Sequence, residues 1–129
     1  MKSIKPLEIF FSDRRYRIFF KIFLVICVAA ICILAFSPLE ESVGSYSYDK
    51  ANHLLAFGVL AFLMDYSFPE SKHFKVKMLA LLVFASFIEV VQYFLPYRTF
   101  SIIDIAADIL GVMFYLILKH KIIAVRSLP

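Results

Sequence analysis

Ten polar or ionisable residues are grouped within an otherwise apolar chain: Asp49, Lys50, Asn52 and His53; Glu89 and Gln92; Arg98; and Ser101, Asp104 and Asp108. A histidine among carboxylates can pass protons as general acid or base, and an arginine beside them can grip phosphate or carboxylate with its planar fork. Helical spacing gathers them: Asp49 and His53 are i,i+4, Glu89 and Gln92 are i,i+3, and Ser101, Asp104, Asp108 and Gly111 run down one face. A helix rises about 1.5 Å per residue, so Glu89 lies about 9 Å below Leu95 and Asp108 about 10 Å below Ser101. The three stripes therefore reach one depth and predict a single polar pocket. No nucleophile motif accompanies them. The H-E-x-x-H spacing of a metal site is absent, so no metal ligand set and no cofactor is expected.

Several of these residues also have a plainer structural role. Ser101 with Asp104 fits a capping box, and Asp49 fits a cap or a dipole partner at a helix start. Lys50 fits a headgroup contact, and His53 an interhelical hydrogen bond. Ala107 and Gly111 form a small-xxx-small pair of the kind that lets helices approach closely. Capping cannot account for Glu89 or Asp108, each well inside its helix.

The elements that must hold these residues are set by composition. Of the 129 residues, 62% are hydrophobic and 19% charged, more apolar and less charged than soluble domains. A single water-soluble core in so short a chain could not hide that much apolar surface. Apolar stretches near Ile18–Phe36, Ala51–Phe68, Met78–Leu95 and Phe100–Leu118 approach the roughly 17 to 25 residues a helix needs to cross a bilayer. Turn residues fall between them: Ser37, Pro38, Glu40, Glu41 and Gly44, then Pro69 to Lys72, then Pro96 to Thr99. Period-2 alternation is absent, which argues against a membrane barrel. The fold expected is an all-α integral membrane protein, a four-helix transmembrane bundle. Cys27 and Cys32 lie five residues apart in the first span, pointing away from each other as apolar filler.

Charge orients the bundle. Twelve of the 14 basic residues fall on one side of four alternating helices: Lys2, Lys5, Arg14, Arg15, Arg17 and Lys21; Lys72, Lys75 and Lys77; Lys119, Lys121 and Arg126. Cytoplasmic segments collect Lys and Arg, so both termini are expected inside. This gives a cytoplasmic tail over 1–17, a membrane domain over 18–118 and a second cytoplasmic tail over 119–129. A cleaved signal peptide fits less well, because the first apolar run is long and Ala35-Phe36-Ser37 is a poor cleavage site. The net charge of +4 is a topology signal and gives no reason to expect nucleic acid as a partner. The lipid bilayer is the expected partner, and nothing specifies an oligomeric state. Lys21 can snorkel to the interface. Asp65 lies close to the inner end of its helix, Tyr46, Tyr48, Tyr93 and Tyr97 suit an outer aromatic belt, and His73 and His120 sit in basic inner segments.

Taken together, Asp49-Lys50-Ala51-Asn52-His53, Glu89-Val90-Val91-Gln92-Tyr93-Phe94-Leu95-Pro96-Tyr97-Arg98 and Asp104 through Gly111 resemble the VanZ-like family, with four helices to match. The family commonly has Asn where this chain has Asp108, which adds a carboxylate. The resemblance implies a small bacterial inner-membrane protein. The family's founding member is associated with low-level teicoplanin resistance, and no molecular activity comes with the resemblance.

Three functions compete. One is an envelope protein that binds a lipid-linked or glycopeptide headgroup from outside, with Lys50, His53 and Arg98 as donors. Four carboxylates, Asp49, Glu89, Asp104 and Asp108, outnumber Lys50 and Arg98 by two charges, so an anionic ligand requires a protonated carboxylate or a bridging cation. The second is an intramembrane enzyme using His53 or Glu89 as base and Arg98 for developing charge. The third is proton or cation movement. Glu89, Arg98 and Asp108 are expected in one network, because their depths match and an isolated carboxylate in lipid is costly.

Overall fold

The structure, a computed structural model, describes residues 13–38 and 46–126. Among them are four α-helices and no strand: α1 Arg14–Phe36, α2 Tyr46–Ser67, α3 Phe74–Phe94 and α4 Ile102–Arg126, with a 3-10 turn at Ser71–His73 before α3. Lys2, Lys5, Glu40, Glu41 and Gly44 lie outside the described residues, as do the side chains of Tyr46 and Tyr48.

Local chemistry sets the helix ends. Asp13 caps α1 by accepting the Arg15 N–H at 2.9 Å. Ser37 closes that helix with its N–H and hydroxyl on the Ile33 carbonyl, ahead of Pro38. Leu95, the residue before Pro96, ends α3 in extended conformation, because proline disfavours helical backbone at the position before it. The helices outrun the apolar stretches: α1 starts at Arg14, α2 at Tyr46 and α3 at Phe74, and α4 continues through Lys119 and Lys121 to Arg126. Backbone hydrogen bonding does not require apolar side chains, so charged turns extend each helix past its hydrophobic run.

α2 is the central element. It packs most extensively on α4 and then on α1. Phe57, Leu60, Ala61 and Leu63 of α2 form the core with Leu24 of α1 and Leu81, Ala85 and Ile88 of α3. Lys50 meets Asp104 and Asp65 meets Tyr115, so α2 and α4 run parallel. Phe20 stacks on Tyr66 and Phe36 meets Phe87, which sets α1 antiparallel to α2 and parallel to α3. The α2–α4 seam is closed by glycines. A Cβ on Gly111 would lie 2.1 Å from the Leu54 carbonyl oxygen, and one on Gly58 would lie 3.3 Å from the Gly111 oxygen. The small-residue stripe read at Ala107 and Gly111 thus serves close packing, with Gly58 as its unforeseen counterpart.

Large apolar side chains face outward on every helix, among them Phe19, Leu55, Phe94 and Ile102. α1 is long and apolar enough to cross a membrane by length and composition, with a mean hydropathy of 3.0 over its best window. Cys27 and Cys32 are unbridged and half-buried. In the short connection before α3, Lys72 and Glu70 pair at 2.9 Å, and this ammonium holds the Glu70 carboxyl below its usual range.

Candidate functional site

The first turns of α2 and α4 lie side by side, and there the polar stripes of the two helices meet. Lys50 Nζ donates to Asp104 Oδ1 at 2.5 Å. His53 Nδ1 is 2.9 Å from Asp108 Oδ1, and its Nε2 faces Asp104 Oδ2 at 4.0 Å. An ionised carboxylate can only accept, so with Asp108 ionised the shared proton sits on Nδ1, and in the neutral ring Nε2 then keeps its lone pair. Asp49 joins this group: one oxygen each of Asp49 and Asp104 and a ring nitrogen of His53 lie within 4.8 Å of one another, and they are the cluster among the described residues that could hold a metal.

Glu89 reaches the same region from α3. It is fully buried, and its Oε2 accepts the backbone N–H of Ser101 at 2.8 Å. Ser101 in turn accepts the Asp104 N–H on its hydroxyl at 3.3 Å. The capping box at the start of α4 is therefore formed on one side only. The Asp104 carboxylate goes to Lys50, and Glu89 takes the N–H that Asp104 was expected to satisfy. A carboxylate deep in its own helix thus caps a neighbouring one, a role the sequence reading had excluded by considering each helix alone. Two carboxylate oxygens here, Glu89 Oε1 and Asp108 Oδ2, are buried with no hydrogen-bond partner.

Gln92 and Arg98 do not join this group. Gln92 donates to the Ala35 carbonyl at 3.1 Å, Tyr97 to Phe36 at 2.9 Å, and Arg98 Nη2 to both Leu34 at 2.8 Å and Ser37 at 3.0 Å. The end of α3 and its loop therefore clasp the final carbonyls of α1, which have no partner within their own helix. The expected network of Glu89, Arg98 and Asp108 is not what forms. The guanidinium is drawn to the negative end of the α1 dipole, where cations are favoured. Tyr97, assigned to an aromatic belt, is part of this clasp.

The opposite end of α2 holds a second polar cluster that sequence reasoning passed over. Asp65 accepts from Lys77 Nζ at 2.5 Å, from Tyr115 Oη at 2.7 Å and from Lys119. Lys77, nearly fully buried, also donates to the Phe68 carbonyl at 3.0 Å, and Lys21 sits 4.9 Å over the Phe68 ring. The available signal was an acidic residue near the C-terminal end of α2 with lysines at the adjoining ends of α3 and α4, Lys77 and Lys119. Between the clusters the α2 core is apolar, built on Phe57, Leu60 and Ala61.

A cleft of about 260 Å³ runs between α3 and α4, lined by Leu81, Ala85, Ile109, Val112 and Leu116 with Phe57 of α2. Asp108 is its one ionisable lining residue.

An all-helical bundle with a strongly apolar first helix, outward-facing hydrophobics and polar groups gathered where two helices begin is a small helical membrane protein. The VanZ/LLP1 family model matches residues 12–123, so the chain belongs to that family. No curated protein and no solved structure matches it. The matched region contains all nine of the residues expected at the pocket: Asp49, Lys50, His53, Glu89, Gln92, Arg98, Ser101, Asp104 and Asp108.

Proposed function

We propose that this chain is a four-span protein of the bacterial inner membrane, with both termini cytoplasmic. It takes a lipid-linked or glycopeptide ligand of the cell envelope at an outward-facing site formed by Asp49, Lys50, His53, Glu89, Ser101, Asp104 and Asp108. Gln92 and Arg98 support that site by holding α1 against α3. The observation that carries the reading is the position of Asp108. Its carboxylate belongs to the polar cluster through His53, and the residue is also one of those lining the apolar cleft between α3 and α4. An amphiphile fits that arrangement, with its headgroup among the polar side chains and its chain in the cleft. The family relationship makes teicoplanin tolerance the first phenotype to measure.

The His53–Asp108 pair favours one alternative, an enzyme acting on a lipid-linked envelope precursor. An imidazole oriented by a carboxylate on Nδ1 leaves Nε2 free as a general base. Proton or cation transport gains no such support, because apolar residues separate the two polar clusters.

Lipids that co-purify with the protein, identified by mass spectrometry, test the reading. An envelope lipid enriched over the bulk membrane supports binding, and a modified lipid that accumulates only with wild-type protein supports the enzyme. Glu89→Gln preserves shape and keeps an oxygen for the Ser101 N–H, so it should fold at wild-type abundance while losing the enriched lipid and any tolerance. Lipid enrichment and phenotype undiminished in both Glu89→Gln and His53→Ala would remove the pocket from consideration.

A further inference from the structure

Asp49, His53 and Asp104 come from two helices, yet one ligand atom from each lies within 4.8 Å of the others. Ligands held 2.0 to 2.6 Å from a divalent ion stand roughly 3 to 5 Å apart, so one ion among these three atoms reaches all of them after small side-chain rotations. We infer that this trio binds a divalent cation of the kind that accepts mixed nitrogen and oxygen ligands, zinc or manganese ahead of magnesium or calcium.

The surroundings point the same way. His53 presents Nε2 toward Asp104 Oδ2 across 4.0 Å, too far for a hydrogen bond, while its Nδ1 is held by Asp108 at 2.9 Å. A carboxylate behind a histidine in this manner is the usual support of a metal-ligating imidazole. That same Asp108 is 1% exposed, and its second oxygen has no partner; Glu89, fully buried, likewise has one oxygen unmatched. Unpaired carboxylate oxygens withdrawn from water call for a positive charge nearby. Lys50 supplies one, to a single oxygen of Asp104. Arg98, which the sequence suggested as the second, is committed to the carbonyls of α1. Among the described residues, Asp49, Glu89, Asp104 and Asp108 have the single ammonium of Lys50 beside them, so each of these carboxylates that ionises beyond the first adds uncompensated negative charge that a proton or a bound cation must offset. The His53 and Lys50 side chains are 13% and 21% exposed, so an ion can enter from the helix starts without crossing the apolar core.

The ion stands on this geometry alone. Its consequence, that a bound cation turns an acidic pocket into one that accepts an anionic headgroup, rests on the proposed function.

The experiment uses full-length protein in detergent, stripped with chelator and then titrated with zinc or manganese alone. Wild type should bind one ion per chain and melt at a higher temperature with it, and bound manganese should show nitrogen coupling in pulsed electron paramagnetic resonance. Asp49→Asn and His53→Ala should each weaken binding at least about tenfold, with the nitrogen signal lost in His53→Ala. Glu70→Gln, an exposed acidic change elsewhere, should alter nothing. Among the described residues no hydrogen bond joins the Asp49 side chain to another side chain, so its amide variant tests the ion without breaking the Lys50–Asp104 and His53–Asp108 pairs. Failure to bind stoichiometrically, or equal affinity in wild type and both site variants, overturns the proposal. Undiminished enrichment of an envelope lipid in protein kept in chelator overturns the consequence, that the ion makes the headgroup site, and leaves the lipid reading intact; ion binding with no enriched lipid supports the cation and counts against the lipid.

Discussion

Gly111 on α4 lies against the backbone of Leu54 on α2 so closely that a methyl group at Gly111 would stand 2.1 Å from the Leu54 carbonyl oxygen. That atom belongs to the backbone of a packed helix and cannot rotate away. The contact holds α2 and α4 at the separation that lets His53 reach Asp108 and Lys50 reach Asp104.

Gly111→Ala should therefore separate the two helices and cost at least the roughly 1 to 3 kcal/mol typical of overpacking. Gly58→Ala meets only a 3.3 Å contact and gains helix propensity, so it should cost less. Thermal unfolding in detergent compares the two. Gly111→Ala melting at the wild-type temperature would show that the seam is looser than described.

Arg98→Lys tests the clasp on α1. The lysine keeps a charge near the helix end but is shorter and lacks the Nη2 that donates to both Leu34 and Ser37, so it should lose at least one of these bonds. Loss of one such hydrogen bond should cost about 1 kcal/mol. The melting temperature should drop while lipid bound per folded molecule stays constant. A variant of normal stability that no longer holds lipid would return Arg98 to the ligand site.

Asp65 joins Lys77 of α3 to Tyr115 and Lys119 of α4. Lys77 is the buried partner, its side chain 5% exposed. Asp65→Asn strands that ammonium and should cost about 3 to 5 kcal/mol, whereas Asp65→Asn with Lys77→Met should cost less than Asp65→Asn alone. Chemical unfolding of the single and double variants measures the difference. Additive losses would show that Asp65 and Lys77 contribute independently.

The orientation predicted by the basic residues is open to labelling in intact cells. In a background lacking Cys27 and Cys32, cysteines at Ser45 and Thr99 should react with an impermeant thiol reagent and one at Ser71 should not. Labelling at Ser71 alone would invert the bundle.

Much of this protein follows from the order of its residues, for reasons that are local. Apolar runs interrupted at Pro38, Pro69 and Pro96 mark four helices, because helix formation depends on neighbours three or four positions away. The stripes Asp49/His53 and Ser101/Asp104/Asp108 share faces by the same arithmetic, and the hydrophobicity that demands a membrane is a property of composition. The partners are another matter. Arg98 bonds to α1 and leaves Glu89 to Ser101, Gln92 leaves the pocket for Ala35, and Asp65 gathers groups from two other helices. Each of those pairings depends on how far a helix is rotated about its axis and how closely it approaches its neighbour. Packing at Gly58, Gly111 and the core around Phe57 decides both, so only the assembled bundle determines which donor each buried carboxylate meets.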